Sequence, residues 1–150
     1  MSIIIRPVTE MDKTFWLPLW HAYNQFYKTT IGPEQTELTW QRLLNPDFNI
    51  FGFVAMHGDH MVGITHYLYR PSTWSKGDYC YLEDLFVVPE VRGQGVGRAL
   101  IDEVKQAAVD AGAARLYWTT APDNATARKL YDTYAPANMV QYQITIDPLN

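Results

Sequence analysis

The run Leu82-Glu83-Asp84-Leu85-Phe86-Val87-Val88-Pro89-Glu90-Val91-Arg92-Gly93-Gln94-Gly95-Val96-Gly97-Arg98 holds the densest chemistry in the chain. It reads as a hydrophobic strand bearing two acids, a glycine-rich turn flanked by arginines, and a helix entry. Backbone N–H groups at such a turn, with the positive end of a helix dipole behind them, suit a phosphate. Glu83 and Asp84 lie within a strand's length of that anion site. A phosphate cradle beside a potential base implies an enzyme with a phosphate-bearing cofactor.

Elements must position these groups. Ile3 to Arg6 reads as a first strand, and Thr9 to Lys28 as a helix that Pro18 should kink or split. Thr36 to Leu44 suits a short helix ending before Asn45-Pro46. Asn49–Met56 and Met61–Tyr69 read as strands joined by a hairpin turn at His57-Gly58-Asp59-His60. Asp78 to Val88 is a longer strand. Gly95 to Ala111 is a helix with Val96, Leu100, Ile101, Val104 and Ala108 on one face, capped by Gly112. A strand over Arg115–Thr120, a helix over Asn124–Tyr134 and a closing strand over Met139–Ile146 complete the order. The fold class is α/β, a mixed sheet with helices on its faces.

The 150 residues suit one domain, and 47% hydrophobic against 19% charged residues is an ordinary globular balance. The net charge of −4 argues against non-specific nucleic-acid binding and mildly favours a cationic substrate. The single cysteine, Cys80, rules out an internal disulfide and fits a reducing compartment. Neither a signal peptide nor an apolar run near the roughly 18 residues of a membrane span is present, so a cytoplasmic protein is expected.

The glycine spacing departs from the dinucleotide fingerprint, which follows a first strand as G-x-G-x-x-G, and a Walker A lysine is absent. Arg92-Gly93-Gln94-Gly95-Val96-Gly97 resembles the Q/R-x-x-G-x-G/A signature of the GCN5-related N-acetyltransferase (GNAT) family. Leu82-Glu83-Asp84-Leu85-Phe86-Val87 and Asn124-x-x-Ala127-x-x-x-Tyr131 resemble that family's neighbouring motifs, in order. The likeness covers residues 78 to 134 most clearly and is nearest to the diamine and histone-type branches.

The resemblance implies an acyl-CoA N-acyltransferase fold with a central, largely antiparallel sheet, and acetyl-CoA as co-substrate without a metal. It puts pantetheine along the backbone of Leu85, Phe86 and Val87, and the diphosphate on the amides of Arg92, Gly93, Gln94, Gly95, Val96, Gly97 and Arg98. Asn124 and Ala127 would border the pantetheine arm, with Tyr131 near the thioester sulfur as proton donor to the departing thiolate. It further implies a homodimer, or a higher homo-oligomer, in which the closing strand can pair across the interface.

Direct transfer to an alkyl amine of pKa about 10 requires a base. Glu83 is the family-matched base and Asp84 its alternate; strand alternation sends the two to opposite faces, so one of them should meet the cleft. His66 is a further alternative. The acceptor is a primary amine of a small molecule, polyamine or amino-acid derivative, with a lysine of a protein or peptide as second reading. A CoA-binding sensor without activity is the competing class.

The amine pocket is less determined. Trp16, Trp20, Tyr23 and Tyr27 recur at helical spacing, an aromatic stripe that suits either core or a cation-binding wall. Tyr67, Tyr69 and Trp74 are candidates for the opposite wall, and Glu34 and Glu37 for attracting a cation. His57-x-x-His60 has metal-like spacing but sits in a hairpin turn, so no metal is expected.

Overall fold

The computed structural model describes residues 1–147, which fall into two compact units divided after Trp118. The first unit contains a five-stranded sheet in the order β1-β2-β3-β4-β5: Ile4–Pro7, Phe51–His57, His60–Arg70, Tyr79–Val87 and Arg115–Tyr117. The first four strands pair antiparallel and β5 pairs parallel to β4, giving the mixed sheet expected from the alternation of strands and helices. Helices α1 (Lys13–Phe26), α2 (Pro33–Leu44) and α3 (Val96–Asp110) cover it.

One face is closed by α1 and α2. Trp16, Leu19, Trp20, Trp40 and Leu43 pack there with Val54, Ile64 and Phe86 of the sheet. Of the kink or split expected at Pro18, the split does not occur: α1 is one continuous helix, and buried residues on both sides, Trp16 and Leu19, hold the flanking turns to the sheet. α2 starts earlier than its periodicity indicates, because Pro33 stands at the first helical position, where its missing N–H costs nothing. The other face receives the apolar stripe of α3. Gly63 lets it come close: a Cβ there would meet Leu100 Cδ1 at 3.0 Å and Val96 Cγ1 at 3.2 Å.

β1 is tied to the start of α1 by a two-pronged ion pair. Arg6 Nη1 and Nη2 each donate to Asp12 over 2.8 Å, and Asp12 also accepts from the Thr9 backbone N–H over 2.8 Å. These bonds hold the Asp12 carboxyl below its ordinary range.

Two irregularities shape β4. Against β3, Asp84 faces His66 while Leu82 faces Tyr67, so Glu83 has no opposite number and forms a β-bulge. Against β5, β4 pairs only at Tyr79, Cys80 and Tyr81. Beyond Tyr81 the β5-side edge of β4 has no strand partner among the described residues.

The second unit contains helix α4 (Ala125–Tyr131), shorter than the expected Asn124–Tyr134. Asn124 is its N-cap, accepting from Ala127 N over 3.4 Å and donating to Thr120 Oγ1 over 3.1 Å. The closing strand does not form: residues 139–146 make no strand pairing among the described residues, and Met139, Val140, Tyr142, Ile144 and Ile146 are exposed. Apolar alternation alone does not make a strand without a neighbouring edge to bond.

Candidate active site

The bulge corrects the expectation that the two acids diverge. An extra residue in one strand breaks the alternation locally and re-aims a side chain. Glu83 and Asp84 therefore both line one cavity of about 410 Å³. Its walls include Trp20, Tyr23 and Asn24 of α1, Tyr27 at the C-cap of that helix, and Gln35, Thr39 and Arg42 of α2.

The two carboxylates stand in different surroundings. Glu83 is solvent-exposed, yet the cleft strips part of its hydration and the neighbouring Asp84 charge opposes its own; both push its carboxyl above the ordinary glutamate range. Asp84 is half-buried and accepts from His66 Nδ1 over 2.9 Å. Tyr23 lies beside it: burial, then the Asp84 charge, raise the phenol far above its usual range and keep it protonated.

His66 cannot serve as the alternative base. Its ring is buried, and Trp16 Nε1 donates to its Nε2 over 3.0 Å. An indole N–H only donates, so Nε2 is the lone-pair nitrogen and Nδ1 carries the hydrogen given to Asp84. Both ring nitrogens are engaged, Nε2 by Trp16 and Nδ1 by Asp84. The chain Trp16–His66–Asp84 thus fixes one carboxylate and leaves Glu83 free.

The aromatic stripe of α1 divides along its length. Trp16 is core, at 1% exposure, whereas Trp20, Tyr23 and Tyr27 line the cavity. Trp20 stacks on Tyr23 with ring centroids 5.8 Å apart, and Tyr23 meets Tyr27 at 4.9 Å. α1 ends in a Schellman turn: Lys28 has φ +54°, and Thr29 N donates to Asn24 O over 2.9 Å. That turn brings Thr29 into the cavity wall as well.

The opposite wall proposed from sequence is not there. Tyr67 and Tyr69 do not line this cavity; Tyr67 stacks on Phe53, and both have raised phenol pKa values, that of Tyr69 about 12, chiefly through burial. Trp74 is 78% exposed. Glu34 does not line the cavity, and Glu37 pairs with Lys13 instead. Asn24, Gln35, Thr39 and Arg42 were missed. The signal was available for α2, whose Gln35, Thr39 and Arg42 recur at steps of four and three.

The glycine turn matches a diphosphate's needs. Gly93 and Gly95 adopt φ +79° and +88°, and no atom lies within 4 Å of where a Cβ would stand on either. Gly95 is the N-cap of α3 and offers no side chain to its first turn. Ala99 N closes onto the helix, reaching Gly95 O over 3.0 Å, so the N–H groups of Val96 and Gly97 stand ahead of the helix's own ladder of bonds. Arg92, by contrast, is committed to the strand: its Nε donates to Val87 O over 2.9 Å, and its guanidinium lies 5.4 Å from the Phe86 ring centre. Gln94 is exposed in the turn. Leu85, Phe86 and Val87 lie on the stretch of β4 whose outer edge has no strand partner, which suits an extended chain adding along it. In the second unit, Asn124, Ala127 and Tyr131 sit at the cap, first turn and last residue of α4.

Among the described residues no cluster of three or more His, Cys, Asp or Glu could hold a metal ion, and no helix is long and apolar enough to cross a membrane. Cys80 is buried, which pushes its thiol up to about 11.

Comparison with known proteins places the whole chain among similar sequences and folds. The chain is 33% identical over 136 residues to the D-amino-acid N-acetyltransferase HPA3 of Saccharomyces cerevisiae, covering 89% of this chain and 84% of that one. It is 35% identical over 92 residues to a thialysine N-epsilon-acetyltransferase of Caenorhabditis elegans, covering 61% and 57% respectively. Among solved structures, the aminoglycoside acetyltransferase AAC(6')-Iy in complex with a CoA bisubstrate analog superposes with a TM-score of 0.80 at 18% identity, covering 97% and 99% of the two chains, a likeness of fold. The model of the Acetyltransferase (GNAT) family matches residues 16–134, and the chain belongs to that family of N-acetyltransferases.

Proposed function

We propose that this enzyme moves an acetyl group from acetyl-CoA to the primary amine of a small molecule by direct attack. The observation that carries the reading is the bulge at Glu83, which puts a free carboxylate of raised pKa and a pinned one in the same cavity wall. Bound acetyl-CoA supplies an electrophilic thioester carbonyl. The β4 edge at Leu85, Phe86 and Val87 holds its extended arm, and the amides of Gly93 to Arg98 hold its diphosphate.

Asp84, fixed by His66, attracts the incoming ammonium. Glu83 takes its proton, directly or through water, since a raised pKa narrows the gap between carboxylate and amine. Tyr131, on the strength of the Asn124-x-x-Ala127-x-x-x-Tyr131 motif, returns a proton to the departing thiolate. The aromatic rings of Trp20, Tyr23 and Tyr27 in the cavity wall suit a cation. The relatives named for D-amino acids and thialysine support a small acceptor over a protein lysine.

The test is release of free CoA thiol from acetyl-CoA with a panel of diamines, amino acids, aminoglycosides and basic peptides. Turnover confined to small amines supports the reading. Preference for the peptides would replace it with protein acetylation, and slow consumption with every amine would favour a CoA-binding sensor.

A further inference from the structure

The acceptor cavity carries a second charged feature, of opposite sign to its acids. Arg42 projects from the cavity-facing side of α2, half-buried, with no carboxylate partner among the described residues. Its Cζ lies over the Phe48 ring, 4.7 Å from the ring centre. A contact with an aromatic ring takes up none of the five N–H donors that a guanidinium can offer an anion.

Asn24, in the same cavity's wall, is 6% exposed, and its Nδ2 is buried without a hydrogen-bond partner among the described residues. A buried amide donor left unpaired is costly and rare, and it calls for an acceptor that the protein itself does not provide. Thr29, Gln35 and Thr39 add further donors to this wall. Both groups line the same cavity, and the oxygens of a carboxylate are the acceptors that a guanidinium and an amide N–H each bond best.

We infer that Arg42 and Asn24 form a carboxylate-binding subsite, so that the acceptor is an amine carrying a carboxylate, an amino acid in its zwitterionic form. The inference rests on the acetyl-transfer reading of the same cavity. Asp84 and Glu83 meet the ammonium while Arg42 and Asn24 meet the carboxylate. Molecules with two positive charges and no acid, such as diamines, leave Arg42 facing a cation and Asn24 unpaired, which selects against them.

The experiment compares kcat/KM for lysine and methionine with that for their amides and decarboxylated amines, in the wild type and in Arg42→Gln and Asn24→Leu. Each ratio of acid to amide is taken within one protein, so the different basicities of the amines cancel between proteins. The expected result is a wild-type preference for the acid of roughly 10- to 100-fold in at least one series, falling to within about threefold in Arg42→Gln. Asn24→Leu should erode the same ratio. A wild-type ratio near one, or an undiminished ratio in Arg42→Gln, overturns the subsite; the wild-type arm decides even if a variant fails to fold. Thiol release without carboxylate preference overturns this inference alone, whereas no release with any amine overturns the transfer reading and this one with it.

Discussion

His66 and Asp84 face each other across β3 and β4, with Nδ1 and Oδ2 2.9 Å apart, and Trp16 holds the other ring nitrogen over 3.0 Å. The histidine is thereby confined to one tautomer and one orientation, and the carboxylate to one rotamer. An apolar core that includes Trp20, Trp40, Val54 and Ile64 packs beside this polar chain, so its members stand or fall together.

Removing the His66 ring should release Asp84. His66→Ala is expected to raise the KM for the amine roughly tenfold, the effect of one charge-assisted bond, with the KM for acetyl-CoA unchanged. Steady-state kinetics with each substrate varied in turn checks it. Equal effects on both KM values would mean a general structural role.

Asp12 anchors β1 and the start of α1 through Arg6. Its carboxyl is held below the ordinary range, so the stability it contributes is present above the unfolded carboxylate pKa and is lost as pH falls through the lower folded value. Asp12→Asn should cost about 1–3 kcal/mol near neutral pH, with a smaller deficit in acid. Urea unfolding across that pH range measures the difference.

Gly95 has open space around it, so a side chain there meets no neighbour; its φ of +88° is the obstacle. Gly95→Ala places about 1–2 kcal/mol of backbone strain at the N-terminus of α3. The expected outcome is a folded protein whose acetyl-CoA affinity, by calorimetry, drops roughly tenfold or more as the turn relaxes. Unchanged affinity would remove the diphosphate from this turn.

Tyr131→Phe deletes one hydroxyl from α4 and should slow turnover by roughly 10²-fold or more, the scale of a lost general acid. Circular dichroism should report an intact fold. A normal rate would dispose of the tyrosine's proton-donor role.

Much of the fold was legible because its elements follow simple periods. The α3 stripe of Val96, Leu100, Ile101, Val104 and Ala108 is buried as its spacing required, and the Gly58-Asp59 hairpin forms between β2 and β3. The bulge was not legible, since Glu83 in Leu82-Glu83-Asp84 looks like any strand residue until the partner strand sets the register. Tyr67 and Tyr69, candidates for the opposite wall, alternate along β3 with His66, which lines the cavity, and so do not reach it. Met139 to Ile146 alternates as a strand should, but pairing is a property of two strands and one sequence window holds only one. Asn24 was invisible because an unsatisfied donor is defined by its surroundings.

If Glu83 removes the proton from the amine, its replacement by Gln must change how the rate depends on pH. Glu83's carboxyl titrates above its ordinary range, so wild-type kcat/KM should fall as pH drops through that raised value. Glu83→Gln at neutral pH is expected to lose roughly 10²- to 10⁴-fold in kcat/KM, a loss that narrows toward about pH 10, where the free amine needs no base, with acetyl-CoA binding retained. Coincident profiles for the two proteins at every pH would contradict it.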